Sequence, residues 1–331
     1  MRRIQDDNRE IMSKIFITRQ IPESGIKLLK EAGHEVEVSD FDGVLPREQL
    51  LKKIKGCDAA LALLTDKVDA EFLDAAGPQL KVVANYAVGY DNIDVKAAAE
   101  RKIIVTNTPD VLTESVAEHA IALIFAVARR IVKSDQYMRD GKYHGWGPML
   151  FLGNDVAGKT LGLIGLGRIG GTVAQRMRQG FDMKVLYYDV APNPELEEKF
   201  NMQYVSLEVL LKESDFISIH VPLVPQTKHL ISEKELKMMK PSAYLINTAR
   251  GPVVDEKALV AALKQGVIKG AGLDVYENEP AMAPGLAELP NVVVTPHIAS
   301  ATEETRNAMS ELAAKNIIAV LEGREALTPI S

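Results

Sequence analysis

Short apolar runs alternate with segments of helical period along almost the whole chain. In the first hundred residues the runs are Lys14–Thr18, Glu35–Val38, Ala59–Leu64, Lys81–Tyr86 and Ile103–Thr106. Between them apolar positions recur every three or four residues, as in Ser24–Ala32, closed by Gly33, and Asp69–Ala76, closed by Gly77. Strand runs separated by amphipathic helices predict βαβ units and a parallel sheet. A second series follows Thr160, with strands at Leu161–Ile164, Lys184–Tyr188, Phe216–Val221, Ala243–Thr248, Ala271–Val275 and Val292–Thr295. The chain therefore reads as α/β, with two doubly wound parallel-sheet domains.

Between the two series, Glu114–Asp140 predicts one long helix. Its stretch Ala120–Val127 is apolar nearly all round, which implies burial on several sides, against a second subunit among others. Gly141–Pro148 is a loop by its glycines and proline. Thr302–Glu322 predicts a last long helix stopped by Gly323 and returning to the first domain, which makes that domain discontinuous. The expected division is 13–109 plus 300–331 for one domain and 110–299 for the other, which includes the linking helix and the loop after it. Residues 1–11 lack periodicity and Met12-Ser13-Lys14 resembles a second start, so a poorly ordered extension is expected over residues 1–12.

Composition narrows the class. A length of 331 residues suits two domains, and 47% hydrophobic with 25% charged residues is an ordinary globular profile. A net charge of −6 without basic runs gives no reason to expect nucleic acid or an anionic membrane surface. No apolar stretch is long enough to span a bilayer, and the polar start shows no signal peptide. A single cysteine, Cys57, excludes an intrachain disulfide framework and fits a reducing, cytoplasmic interior.

The most informative stretch is Gly165-Leu166-Gly167-Arg168-Ile169-Gly170, which follows one strand run, opens a helical pattern and precedes a second strand closed by Asp189. This is the whole dinucleotide-binding unit: a tight turn, a close backbone approach for pyrophosphate, and a helix packed close to the sheet. The helix N-terminus holds the phosphates. Asp189 at the end of the second strand suits an adenosine ribose 2′-OH and repels a 2′-phosphate. No Arg or Lys follows before Lys199, so NAD is expected in preference to NADP.

Ligands of such sheets bind outside the carboxyl ends of the strands. There the second domain carries Asn247-Thr248-Ala249-Arg250-Gly251, then Asp274-Val275-Tyr276-Glu277-Asn278-Glu279-Pro280, then Thr295-Pro296-His297. Reduction of a 2-keto acid needs a proton donor for the developing alkoxide, and histidine suits that work. A carboxylate on the other ring nitrogen fixes the tautomer and raises the histidine pKa; Glu277 and Glu279 both compete for that place. Arginine matches a substrate carboxylate with two parallel hydrogen bonds, a part open to Arg250. Asp274 is either a nicotinamide carboxamide contact or a turn partner. His34, His119, His144 and His229 lack the strand-end setting, and no His/Cys cluster has metal-ligand spacing.

In these motifs the chain resembles the D-isomer-specific 2-hydroxyacid dehydrogenases, over roughly residues 14 to 325. The motifs Gly165–Gly170, His220-Val221-Pro222-Leu223, Asn247–Gly251, Asp274–Pro280 and Pro296-His297 stand in family order. The resemblance implies that Arg250, Glu279 and His297 are catalytic, and that the fold is a flavodoxin-like substrate domain and a Rossmann NAD-binding domain around a cleft. It implies cofactor contacts by Thr113, Thr248, Ala249, Arg250, Asp274, His297, Ile298 and Ala299, joined by His220, Val221, Pro222 and Thr227. In Ala87-Val88-Gly89-Tyr90-Asp91-Asn92 it implies a loop whose backbone N–H groups, at Val88 and Gly89, hold the substrate carboxylate. It also implies a homodimer built through the long helix and its loop. Within the family, Leu63–Asp69 and Trp146-Gly147-Pro148 look most like glyoxylate and hydroxypyruvate reductases, with Leu64 narrowing the pocket and Trp146 reaching a neighbouring subunit's site. Tyr90 departs from the phenylalanine expected in that subgroup. The leading expectation is NADH-dependent reduction of glyoxylate or hydroxypyruvate to the D-hydroxy acid. The alternatives are oxidation of 3-phosphoglycerate or another D-2-hydroxy acid, and an NADH-sensing corepressor.

Overall fold

Apolar runs that do not alternate with polar residues need cover on both faces, and here they form the strands of two parallel sheets. The computed structural model describes residues 12–330, and the expected extension lies outside the described residues except for Met12. The chain divides into two units. One runs up to Leu112 and takes up the chain again from Thr302, and the other is Thr113–Ala301.

In the first unit β1 (Lys14–Ile17), α1 (Glu23–Glu31), β2 (Glu35–Val38), α2 (Arg47–Ile54), β3 (Ala59–Ala62), α3 (Ala70–Ala76), β4 (Val82–Asn85), α4 (Val95–Glu100) and β5 (Ile104–Thr106) alternate without interruption. The sheet order is β2-β1-β3-β4-β5, all parallel, the flavodoxin-like doubly wound order. Asp69 and Asp94 cap α3 and α4 by accepting the N–H groups of Phe72 and Ala97; such caps satisfy donors that the first helical turn leaves open.

The second unit begins with α5 (Thr113–Ala128) and α6 (Ile131–Arg139). It continues through β6 (Thr160–Ile164), α7 (Arg168–Phe181), β7 (Lys184–Tyr188), α8 (Pro194–Phe200), β8 (Met202–Tyr204), α9 (Leu207–Glu213), β9 (Phe216–Ile219), α10 (Glu233–Met238), β10 (Tyr244–Asn247), α11 (Glu256–Gln265), β11 (Gly270–Leu273) and β12 (Val292–Val294). Its parallel sheet runs β12-β11-β10-β9-β6-β7-β8, so strand order reverses between β6 and β9, the switch point where dinucleotides bind. Two apolar layers cover this sheet. One is built on Leu123, Ile124, Leu161, Val173 and Tyr187, the other on Ile217, Leu245, Leu259 and Ile268.

Two expectations need correction. The sheet has seven strands, because Met202–Tyr204 adds a short edge strand beside β7. Only Met202 of the three is buried, too little for an apolar run to show. The long helix is also two helices. Arg130 adopts a left-handed φ of 56°, and the Ala128 carbonyl leaves the helix to accept the N–H of Asn154 at 2.9 Å. A side chain at Gly153 would lie 2.3 Å from that carbonyl, so the returning segment docks only because residue 153 is glycine. The helical period runs through the break unaltered, since a distant segment causes it.

The last helix, α12 (Glu303–Leu321), is capped by Thr302 and packs against α1 and β4 in the first unit. Contact with α1 is closest at Gly25, where a Cβ would lie 2.2 Å from the backbone oxygen of Ser310. Ser310 Oγ also accepts the Gly25 N–H at 3.1 Å. Gly25→Ala is expected to destabilise this unit by roughly 1–3 kcal/mol through overpacking against backbone that cannot yield. Urea unfolding checks this; an unchanged midpoint removes the contact from the stability of the fold.

Candidate active site

The glycine turn after β6 meets each geometric demand of a pyrophosphate-binding loop. Gly165 has φ 96°, and a Cβ there would stand 2.9 Å from the backbone of His220. At Gly170 a Cβ would fall 2.3 Å from the Gly165 carbonyl, so the helix can sit this close only without a side chain. Gly167 is different: a Cβ there meets nothing within 4 Å, which leaves open space at the N-terminus of α7 where Arg168 and Ile169 begin the helix. Asp189 closes β7, and its carboxylate accepts the N–H groups of Leu166 (2.7 Å) and Val190 (2.6 Å). The acid is thereby fixed beside the turn. Thr248 Oγ1 is buried without a hydrogen-bond partner among the described residues, an unmet bond that suits a polar ligand group. These observations fit a dinucleotide.

Past the carboxyl end of β10, the buried Asn247 shapes the next turn. Its side chain donates to the Arg250 carbonyl at 2.9 Å and accepts the Ala249 N–H at 3.0 Å. Sequence reasoning assigned Thr248, Ala249 and Arg250 but gave Asn247 no role; its place at the head of the same run was the available signal. Past β11, Glu279 Oε1 accepts the Tyr276 N–H at 3.0 Å. Its other oxygen lies 2.9 Å from His297 Nδ1. Glu277 instead meets His229 at 2.7 Å. The structure thus separates the two glutamates that the sequence left in competition, and it gives His229 a partner.

Burial pushes the Glu279 carboxyl up, but the hydrogen bond and charge of His297, the Tyr276 N–H and the charge of Arg250 outweigh it and hold the group below the usual carboxylate range. Imidazole and guanidinium therefore both act on one carboxylate at this sheet edge.

Asp274 is fully enclosed. Oδ1 accepts the Thr295 hydroxyl (2.6 Å) and the Ile298 N–H (2.9 Å), and Oδ2 accepts the Ala299 N–H (2.8 Å). Its backbone carbonyl takes the His297 N–H at 2.9 Å. These contacts make Asp274 a partner of the following turn. Burial raises its carboxyl, yet His119, Thr295, Ile298 and Ala299 together lower it further. His119, on α5, lies 3.0 Å from Thr295 Oγ1. Lying on a helix and away from any strand end, His119 carries no strand-end signal in the sequence.

The remaining residues fall as follows. His220 follows β9 with Nε2 2.9 Å from Ser218 Oγ, and is followed by Val221 and the exposed Pro222. Thr227 spends its hydroxyl on its own turn, donating to the Pro222 carbonyl at 2.6 Å and accepting the Val224 N–H at 2.9 Å. Thr113 is the first residue of α5. In the first unit, Leu64 is half-buried after β3, and half-buried Val88 and Gly89 follow β4. Trp146 is 82% exposed. Among the described residues there is no His/Cys/Asp/Glu group able to hold a metal ion, and no helix long and apolar enough to cross a membrane.

The NAD-binding domain of the D-isomer-specific 2-hydroxyacid dehydrogenases matches residues 121–299. The chain belongs to this family. Over 94% of both chains it is 55% identical to a glyoxylate reductase of Thermococcus litoralis. Among solved structures, a Thermus thermophilus protein superposes with a TM-score of 0.90 at 46% identity, covering 96% of this chain and 100% of that one. An NADPH-dependent glyoxylate/hydroxypyruvate reductase of Sinorhizobium meliloti, in complex with NADP and malonate, superposes with a TM-score of 0.84 at 36% identity, covering 96% and 97%. As a member of the family, this dehydrogenase reduces a 2-keto acid with a nicotinamide dinucleotide.

Burial pushes the His220 imidazole of this dehydrogenase down from 6.5 to about 4. Between those values the unfolded chain binds a proton that the folded chain does not, so stability present in full above pH 6.5 declines as pH falls towards 4. His220→Asn is expected to flatten the pH dependence of the thermal midpoint over that window. An equal slope in the variant places the proton uptake elsewhere.

Proposed function

We propose that this dehydrogenase reduces glyoxylate, with hydroxypyruvate as the other candidate, using NADH and the residues Arg250, Glu279 and His297. The observation that carries the reading is the contact of His297 Nδ1 with Glu279 at 2.9 Å at the carboxyl edge of a dinucleotide-binding sheet. With Nδ1 engaged, Nε2 is the ring atom left for the substrate. There it delivers a proton to the carbonyl oxygen as that oxygen becomes an alkoxide. Glu279, held ionised by its surroundings, stabilises the imidazolium before the proton leaves and keeps the ring oriented. Arg250 holds the substrate carboxylate through its planar fork, and Val88 and Gly89 offer backbone N–H groups to the same class of ligand. The reduced nicotinamide, when bound, supplies the hydride to the carbonyl carbon.

Cofactor binding is assigned to the Gly165–Gly170 turn, to Asp189, and to the loops carrying Thr113, His220, Val221, Pro222, Thr248, Ala249, Ile298 and Ala299. Asp274 serves these loops from behind, and Thr227 shapes its own. The carboxylate of Asp189 supports NADH over NADPH, since it repels a 2′-phosphate. Support for glyoxylate comes from the named relatives, and Leu64 is assigned the part of narrowing the pocket. We further assign a homodimer and a cytoplasmic setting. The first rests on the exposed Ile131, Val132, Met138, Met149 and Leu152 of α6 and the loop after it, with Trp146 reaching a second copy. The second rests on the single buried thiol.

Incubating the pure protein with NADH and a panel of 2-keto acids, and following loss of reduced-nicotinamide absorbance, tests the reaction. Glyoxylate or hydroxypyruvate is expected to lead the panel, and a bulky or phosphorylated acid in first place replaces this reading. His297→Ala should lower kcat by about 10²–10⁴-fold while NADH still binds; near-normal turnover strips the imidazole of its role. Asp189→Ala should erode the preference for NADH over NADPH by roughly tenfold, one charged hydrogen-bond pair's worth. An unaltered ratio removes Asp189 from the ribose site.

A further inference from the structure

The loop after β4 is anchored at three successive peptide carbonyls. The Thr108 N–H donates to the carbonyl of Ala87 at 2.9 Å. The Asn107 side-chain amide donates to the carbonyl of Val88 at 2.8 Å, and that of Asn85 to the carbonyl of Gly89 at 2.8 Å. These peptides are trans, and in a trans peptide the N–H points opposite to the C=O. Anchoring the three carbonyls therefore turns the N–H groups of Val88, Gly89 and Tyr90 away from their anchors. No group among the described residues accepts from those three N–H groups, and with Val88 and Gly89 half-buried and Tyr90 exposed they remain open to a ligand. A run of unpaired backbone donors suits an anion, because no side-chain counter-charge has to be displaced.

We propose that Asn107 and Asn85 are positioning residues for the substrate carboxylate: each fixes one peptide plane of the Val88–Tyr90 loop so that its N–H stays turned toward the ligand. The inference rests on the reading of this loop as the carboxylate site.

Both asparagines are themselves held. Asn107 donates its backbone N–H to the Thr328 carbonyl at 3.3 Å, and its own carbonyl accepts the Thr328 hydroxyl at 2.6 Å. Thr328 is gripped in turn by the fully buried Asn316 of α12, whose side chain donates to Thr328 Oγ1 (2.8 Å) and accepts its N–H (3.0 Å). The C-terminal segment thus reaches the loop through Asn107. Asn85, also fully buried, pairs loosely with Asn92, whose amide donates to the carbonyls of Leu63 and Asp66, both at 3.1 Å. Asparagine suits both posts because its amide donates. An aspartate of the same shape would set a charged acceptor against a carbonyl oxygen and drive the peptide to rotate.

The test is Asn107→Asp in the full-length protein, assayed with NADH and glyoxylate and with oxamate as an unreactive carboxylate. KM for glyoxylate and the inhibition constant for oxamate should both rise about tenfold. kcat should fall less, and NADH affinity and the thermal midpoint should hold. Unchanged KM and oxamate inhibition overturn the proposal, as does a loss of NADH affinity and midpoint in step with KM, which marks a merely structural role. Asn107→Ser, uncharged and smaller, is read by the same criteria if the aspartate variant does not fold. Gly89→Pro deletes one of the N–H groups itself and tests the underlying reading separately. If it leaves KM and oxamate inhibition unchanged, the loop does not hold the carboxylate. If it weakens both while the Asn107 variants do not, the loop reading stands and the positioning role fails.

Discussion

The hydrogen bonds of Asp274 are the constraint on which the proposed catalytic edge depends. His297 sits at φ 54°, a left-handed backbone that costs a residue other than glycine of order 1–3 kcal/mol. Something must hold it there. The Asp274 carbonyl takes the His297 N–H, while its carboxylate takes the two N–H groups that follow and the Thr295 hydroxyl. A carboxylate that accepts several hydrogen bonds inside a protein stays ionised and rigid. Rigidity passes to the His297 backbone and brings Nδ1 within 2.9 Å of Glu279. Loss of this hub would release the imidazole even with Arg250, Glu279 and His297 all present.

The same economy recurs at four strand ends, where a short polar side chain holds the backbone of the loop that follows. Asn247 folds the Thr248–Arg250 turn, Asp189 holds the Leu166 N–H of the glycine loop, and Asn107 and Asn85 orient the loop after β4. Each is placed by a strand, so its precision is that of the sheet. The loops carry the chemistry, but their geometry is set one layer further in. This division suits glycine, alanine or valine at the proposed ligand-facing positions, where the backbone would do the work.

The helical half of the molecule shows the opposite dependence. The stretch Ala120–Val127 of α5 is apolar nearly all round, and the helix finds cover against α7 and the strands β10–β12 of its own unit. α6 buries none of its residues, and its exposed apolar side chains continue into the loop carrying Trp146. Their separation at Arg130 follows from the Ala128 carbonyl bonding Asn154, a contact between segments far from any periodic signal.

By itself the sequence determined eleven of the twelve strands among the described residues, because most parallel strands buried on both faces are written as unbroken apolar runs. It determined the dinucleotide turn too, because that turn requires glycine at defined places and an acid at the next strand end. It brought Arg250, His297 and two glutamates to one sheet edge, since strand order and direction alone place them there. Residue type and spacing left Glu277 and Glu279 open, because two residues of separation on a loop carry no direction, and the resemblance pointed to Glu279; the tertiary structure pairs Glu277 with His229 and Glu279 with His297. It alone enlisted His119, Asn247 and Asp274 as supports, ended the long helix early and added β8. These outcomes depend on hydrogen bonds between segments remote in sequence, and such bonds leave no periodicity for a linear reading to find.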